Sequence, residues 1–137
     1  ASRHILTLVG FENLLTGTVG ETGPEGCAIR MQSGEVLRAG NCGTRPTGET
    51  VCVALRANRV GLTATASADR SVNDFDATIE AAAFLGDTQQ FDLSCLGQTV
   101  IATVPVADLG RAGLAGARPG DSAVVHLSPE EVVVTAI

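Results

Sequence analysis

Apolar residues recur at every second position in many short stretches of this chain, and few stretches repeat at helical spacing. Strict alternation marks a strand with one buried face, because successive side chains leave a strand on opposite sides. Leu14 to Val19 alternates in this way and runs into a Gly-rich loop, Gly20 to Gly26. Cys27 to Met31 and Glu35 to Arg38 flank Gln32-Ser33-Gly34, which predicts a tight hairpin. Val51 to Leu55 and Val60 to Thr63 are β-branched runs, followed by a polar, small-residue stretch from Ala66 to Asn73. Phe75 to Leu85 reads as a longer strand, in which Ile79 to Leu85 alone also fits a helix. Phe91 to Leu96 and Thr99 to Val104 flank Gly97-Gln98, a second hairpin signal. Ala107 to Gly120 is rich in Gly, Ala and Leu and is expected to be loop or one short helix. Ala123 to Leu127 and Val132 to Thr135 complete the pattern. About ten short strands with Gly or Pro between them predict an all-β sandwich or small barrel.

The chain also resembles itself. Shifting residues 118–136 back by 72 places Gly120 on Gly48, Asp121 on Glu49, Val125 on Val53, Leu127 on Leu55, Val132 on Val60 and Thr135 on Thr63. Arg118-Pro119 matches Arg45-Pro46 with a one-residue slip at Thr47. A shift of 60 places the run from Asn73 to Ile79 on the run from Asn13 to Val19. Each half therefore opens with one strand and ends with an R-P-G-acid turn and two strands. The turn residues Arg45, Pro46, Gly48, Arg118, Pro119, Gly120 and Asp121 are expected to be structural. Proline presets φ, glycine supplies the permissive position, and the acid bonds nearby amides. The expected organisation is 1–12 as a linker, 13–65 and 73–137 as two related halves, and 66–72 as a linker between them.

Length and composition narrow the function. At 137 residues and 45% hydrophobic the chain can bury a core. All nine basic residues are Arg, against fifteen acidic, for a net charge of -6. That balance, with no Trp or Tyr, argues against nucleic acid as a partner. The absence of Lys excludes a P-loop or Schiff-base lysine. No apolar run reaches the roughly 20 residues that span a bilayer. The chain begins Ala-Ser-Arg-His, without a signal-peptide layout or an initiator Met, which predicts a processed or excised piece. Cys27, Cys42, Cys52 and Cys95 show no C-x-x-C pair. Buried thiols are the favoured reading, ahead of disulfides and metal, and point to a reducing compartment.

No catalytic constellation emerges, and no cofactor or metal is expected. His4 and His126 lie 122 residues apart, and His126 takes the place of Ala54 in the other half. Glu130-Glu131 are neighbours that point apart on an extended chain. Gly110, Gly113 and Gly116 lack the register of a phosphate loop. The polar turn Asp87-Thr88-Gln89-Gln90, with Phe91, is the candidate ligand or subunit contact. Phe75, Phe84 and Phe91 are expected in the core, with a subunit interface as the alternative.

The segments VGFENLLTGTV (9–19), AAFLGDTQQFDLSCLGQTVIATVP (82–105) and RPGDSAVVHLSPEEVVV (118–134) together resemble the transport-associated OB (TOBE) domain. That domain follows the nucleotide-binding domain in ATP-binding subunits of bacterial ABC importers. The resemblance spans about Val9 to Val134 and rests on the order and spacing of turn motifs. One departure is Arg56-Ala57-Asn58, where the family often carries R-P-E; the second half keeps Ser128-Pro129-Glu130. The resemblance implies an OB-like fold and a cytoplasmic position at the inner face of the membrane. It implies a regulatory or dimer-forming role, non-catalytic without the missing ATPase domain. Implied partners are a second copy, the ATPase domain, permease subunits and a small solute or anion. The alternative expectation is a stand-alone molybdate-type oxyanion binder, which the duplication fits well and the acidic, Lys-free composition fits less well.

Overall fold

In the computed structural model, residues 10–66 and 70–137 are described. The β-branched and alternating runs form ten strands. They are β1 (Asn13–Gly23), β2 (Gly26–Met31), β3 (Val36–Ala39), β4 (Thr50–Leu55), β5 (Gly61–Thr63), β6 (Asp74–Phe84), β7 (Thr88–Cys95), β8 (Gln98–Pro105), β9 (Ser122–His126) and β10 (Val133–Ala136). Ile79 to Leu85 is strand up to Phe84, and Ala107 to Gly120 holds one short 3-10 turn, Val106–Asp108, and further turns. The fold is all-β and OB-like, built of two related halves.

The strands form two antiparallel sheets of five, ordered β10-β4-β1-β2-β3 and β5-β9-β6-β7-β8. Each half thus hands its last strand to the other: β5 pairs with β9, and β10 pairs with β4. The registers repeat the two sequence offsets. Leu14 faces Ala54 as Asp74 faces His126, and Ala54 faces Val133 as His126 faces Gly61. Inward residues of both sheets, including Leu15, Ile29, Val53, Phe75, Phe91, Leu93 and Val125, merge into one continuous core.

Several boundaries differ from the sequence expectation. The Gly20 to Gly26 stretch is a hairpin arm, not a loop. A register shift after Val19 lets Thr22 and Gly23 resume pairing with Cys27 and Gly26, which leaves Pro24-Glu25 as the turn. Gly26 has φ 119°, and a Cβ there would sit 2.2 Å from the Ala39 carbonyl oxygen. The second hairpin turns at Leu96-Gly97 rather than Gly97-Gln98, with φ 58° and 76°, a pair of positive values that suits a two-residue turn. The Ser33 amide donates to the Leu96 carbonyl across the two hairpin tips. Cys27 and Cys42 form a disulfide, contrary to the thiol expectation. The reason is tertiary: Cys27 faces Ala39 across β2 and β3, so the chain just past β3 returns beside it. Cys52 and Cys95 are buried thiols as expected. The inference of a reducing compartment therefore keeps two of its four thiols.

Two buried asparagines join the halves. Asn13 (2% exposed) opens β1, and Asn73 (1% exposed) immediately precedes β6. Asn13 Nδ2 donates to the Ile101 carbonyl on β8 at 2.9 Å, and the Ile101 amide donates back to Oδ1 at 2.6 Å. Asn73 makes the same pair with Arg38 on β3, at 2.8 and 2.9 Å. Each carboxamide stands in for a strand residue and satisfies both backbone groups of a strand from the opposite half.

Truncating either side chain strands an amide and a carbonyl that water reaches poorly. Asn13→Ala and Asn73→Ala are each expected to destabilise the chain by about 2 kcal/mol, read from urea unfolding midpoints, because two part-buried bonds lose their partner. Reduction of Cys27–Cys42 is expected to cost about 3 kcal/mol for a loop of this length, read as a lower melting temperature with dithiothreitol. A Cys42→Ser variant that melts like the oxidised protein would show that the bond stabilises nothing.

Candidate functional site

The candidate hairpin lies at one end of the second sheet. Its turn is Leu85-Gly86-Asp87, while Thr88, Gln89 and Gln90 belong to β7. The early start of β7 follows from pairing: Gln89 and Gln90 face Phe84 and Ala83 on β6, and Thr88 faces Pro105 on β8. Phe91 points into the core with no exposed surface, and Phe75 is also buried in the core. Phe84 departs from the core expectation and is 69% exposed, beside Leu85 at 55%. The ladder extends past the core here, and among the described residues nothing covers the strand's apolar end. Gln90 bonds the Asp92 carboxylate, and the Asp87 carbonyl accepts from the Val106 amide.

The two R-P-G-acid turns take matching positions. Gly48 and Gly120 both have φ 95°, and their amides donate to Val19 and Ile79 at 2.7 Å. In return the Val19 and Ile79 amides donate to the Glu49 and Asp121 carbonyls at 2.9 Å. The acids differ in use. Glu49 pairs with the Arg45 guanidinium at 2.7 Å, whereas Asp121 accepts from the Arg118 amide, just before Pro119, at 2.9 Å. Arg56-Ala57-Asn58 lacks the Pro of Ser128-Pro129-Glu130, yet both places form a 3-10 turn, Ala57–Arg59 and Pro129–Glu131. The Ala57 amide is held there by the Glu12 carboxylate at 2.8 Å, a contact Pro cannot make.

The halves diverge on the outer faces of their sheets. In the first, Phe11, Leu14, Cys52, Ala54 and Val133 form a small second core, and Arg56 lies over the Phe11 ring at 4.4 Å. In the second, the matching positions carry Ser71, Asp74, Val124, His126 and Gly61. His126 Nδ1 lies 2.8 Å from Asp74 Oδ1, and Nε2 lies 2.8 Å from Thr63 Oγ1. The Ser71 amide and hydroxyl donate to Asp74 at 2.8 and 2.9 Å. Burial pushes the Asp74 carboxyl up, but the Ser71 amide, the His126 ring and the Ser71 hydroxyl outweigh it, and the group lies below its ordinary range. The sequence reading took His126 as an ordinary strand residue; the two offsets make it and Asp74 equivalent to Ala54 and Leu14, but only the strand register places them opposite each other. His4 lies outside the described residues, as do most of the 1–12 segment and the middle of 66–72.

Three open clefts adjoin these elements. One of about 420 Å3 lies against β6 and β9 and presents Thr78, Ser94, Ser122 and the Arg70–Asp76 pair, bonded at 2.8 Å. One of about 550 Å3 lies beside Cys42, Arg45 and Glu130. The third, of about 350 Å3, lies between Thr63, Thr65, His126 and the Gly110 to Gly113 turn. Gly110 and Gly113 thus frame a cleft wall, while Glu131 lies on the 3-10 turn near Arg59 at 4.0 Å. Among the described residues no group of three or more His, Cys, Asp or Glu side chains could hold a metal ion. No helix of the described residues is long and apolar enough to cross a membrane. Burial drives the Cys95 thiol up to about 12, with Glu35 and Asp76 adding to it, so it is a poor nucleophile.

The Asp74 network carries a pH signature. Because its folded value is lowered, its contribution is complete above the ordinary carboxylate value of 3.8 and is lost as pH falls through the folded value. Stability of the native chain, measured by urea unfolding, is expected to drop below about pH 4 with part of that slope absent in Asp74→Asn. Equal slopes in the two proteins would remove Asp74 from the account.

Comparison with known proteins agrees with the fold. The crystal structure of the cytoplasmic molybdate-binding protein ModG, with molybdate bound, superposes with a TM-score of 0.78. The match covers 93% of this chain and 97% of that one at 20% sequence identity. No curated protein matches the chain. The model of the TOBE domain matches residues 53–134, well over half of the sequence and reaching from β4 into β10. With the duplicated strand order and both turn motifs in place, this chain belongs to the TOBE domain family.

Proposed function

We propose that this chain is a non-catalytic binding module whose ligand is a small oxyanion of the molybdate type. The observation that carries the reading is the end-to-end correspondence with ModG, which spans nearly the whole of both chains rather than one shared half. The chemistry of the surface supports it. The clefts on the second sheet offer hydroxyls and guanidinium groups, the donors that hold tetrahedral oxyanions without a metal. On this reading the protein works in the cytoplasm.

A second reading is favoured by the family match and by the apolar hairpin end at Phe84 and Leu85. It makes the chain the C-terminal regulatory and dimerisation domain of an ABC importer ATP-binding subunit. Two copies would then hold the ATPase dimer at its far end, and a signal here would bias opening or closing through contacts that differ between the states. Asp87, Thr88, Gln89 and Gln90 would contribute to a subunit or ligand contact. The two readings are compatible where the sensed solute is itself an oxyanion.

A thermal-shift screen against molybdate, tungstate, sulfate, phosphate, spermidine and maltose separates them, with sedimentation alongside. A bound oxyanion at a hundredfold excess over its Kd is expected to add about 2.7 kcal/mol and a clear rise in melting temperature. No shift with any oxyanion, together with a dimer at micromolar concentration, would transfer the conclusion to the importer reading.

A further inference from the structure

The two halves secure one corner of the fold by different means. Val19 faces Ile29 as Ile79 faces Leu93, so Cys27, two residues before Ile29, takes the position of Phe91. Each faces an alanine of the next strand, Ala39 for Cys27 and Ala102 for Phe91. Beyond Ala102 the β7–β8 ladder continues through Thr103, Val104 and Pro105, which face Gln90, Gln89 and Thr88. The matching residues of the first half are Gly40, Asn41 and Cys42, and there the β2–β3 ladder has already ended. A cleft of about 250 Å3 lies in its place, between the arm from Thr22 to Cys27 and the stretch from Gly40 to Gly43.

The Cys27–Cys42 bond substitutes for that ladder. Among the described residues no backbone group from Asn41 to Arg45 bonds another element; the Gly43 amide turns to the Asn41 side chain at 2.7 Å, and Arg45 to Glu49. The stretch is held at its two ends. The Gly40 amide donates to the Pro129 carbonyl at 2.9 Å, and the Thr47 hydroxyl and Gly48 amide donate to the Gly20 and Val19 carbonyls. Between those ends the disulfide is, among the described residues, the one covalent or hydrogen-bonded tie to the rest of the fold. The same stretch divides two clefts. On one side is the cleft of about 250 Å3, and on the other the cleft of about 550 Å3, whose far wall is Pro129 and Val132 to Val134.

This bond is placed to be exchanged without unfolding the core. The second half packs the same corner with no covalent link, since Phe91, Ala102 and Val104 fill it with side chains and ladder alone. Both cysteines are buried, yet Cys42 borders both clefts and Cys27 only the smaller, so a small thiolate arrives at Cys42. Disulfides of cytosolic proteins are as a rule transient and redox-sensing, because the surrounding thiol pool reduces them. Resting on the cytoplasmic part of the oxyanion-binding reading, we propose that Cys27–Cys42 is a reversible redox latch. Oxidised, it pins the stretch from Asn41 to Arg45 as the wall between the two clefts; reduced, it frees that wall and joins them.

The exchange partner is a low-molecular-weight thiol. Its thiolate attacks the Cys42 sulfur, the Cys27–Cys42 bond breaks, and Cys27 leaves as a thiolate that takes a proton. A second thiolate attacks the partner's sulfur in the mixed disulfide and releases Cys42, which is protonated in turn. Two electrons pass to the protein, and the thiol departs as its own disulfide. The reverse exchange with that disulfide closes the latch. Cys52 and Cys95 take no part, being buried on β4 and β7.

The test uses the full chain under native conditions, in mixtures of reduced and oxidised glutathione, with dithiothreitol as the limiting reductant. Quenching with iodoacetamide and mass spectrometry of the fragments reads each cysteine. Reduction is expected to open Cys42 and then Cys27 to the label and to leave Cys52 and Cys95 unlabelled. Nitrogen-15 relaxation is expected to show the order parameters of Asn41 to Arg45 falling from about 0.85 to below about 0.6 on reduction, while those of β4 and β7 hold. Oxidised glutathione is expected to restore the first values, and Cys42→Ser to show the second in either buffer. Three results overturn the latch: a bond that dithiothreitol breaks only in urea, labelling of all four cysteines with loss of dispersed amide signals, or an Asn41 to Arg45 stretch unchanged by reduction. The molybdate thermal-shift screen, run on the oxidised and the reduced chain, reports the binding reading separately. A shift beside an inert bond overturns the latch alone, and a working latch with no shift overturns the binding reading alone.

Discussion

Two buried carboxamides set the constraint on which this molecule depends. Asn13 and Asn73 each lie at the start of the opening strand of a half and bond both backbone groups of one residue in the other half. A side-chain amide is the neutral group that can donate and accept in one plane, so it can replace a strand neighbour where the ladder ends. Asp in its charged form could accept but not donate, and Leu would leave both backbone groups unpaired. Since the bonds are reciprocal, the halves are expected to unfold together. The exchange of β5 and β10 between sheets acts in the same direction, because neither half can complete its own sheet. The core runs continuously across both halves.

The same duplication shows where the chain departs from symmetry. The inner faces of the two halves stay apolar, because both contribute to a shared core that tolerates little change in volume or polarity. The outer faces have no such common restraint. One is covered by Phe11 with Arg56 lying over its ring, and the other carries the Ser71–Asp74–His126–Thr63 chain. A buried acid beside a histidine needs several donors to remain in place, and Asp74 has them from Ser71 and His126. The polar cluster is therefore a complete network, which separates it from scattered surface polarity. It lies at the end of β5, the strand that leaves the first half, and so connects a cleft to the exchange between halves.

The pairing of cysteines illustrates how tertiary geometry selects among alternatives that look alike in sequence. Cys27 and Cys42 are no closer to a recognised motif than Cys52 and Cys95. Only the β2 to β3 ladder returns the chain beside Cys27, with Gly26 allowing the backbone to approach Ala39 closely. Cys52 and Cys95 lie on strands of different sheets, buried among apolar side chains. Burial alone raises the Cys95 thiol, and nearby Glu35 and Asp76 raise it further.

Alternation of apolar residues was sufficient by itself to determine an all-β chain, the approximate place of its strands and its duplication. These are local properties, carried by a period of two and by turn residues whose φ requirements do not depend on distant contacts. The offsets of 60 and 72 also determined which residues would be equivalent, down to Gly48 with Gly120 and Asn13 with Asn73. Three features were beyond its reach: the exchange of β5 and β10, the Cys27–Cys42 bond, and the meeting of Thr63, Asp74 and His126. Each joins positions far apart in the chain, and such partners are chosen by sheet order and register. Local pattern leaves both open, since a strand's periodicity states which face is buried and not which neighbour lies beside it.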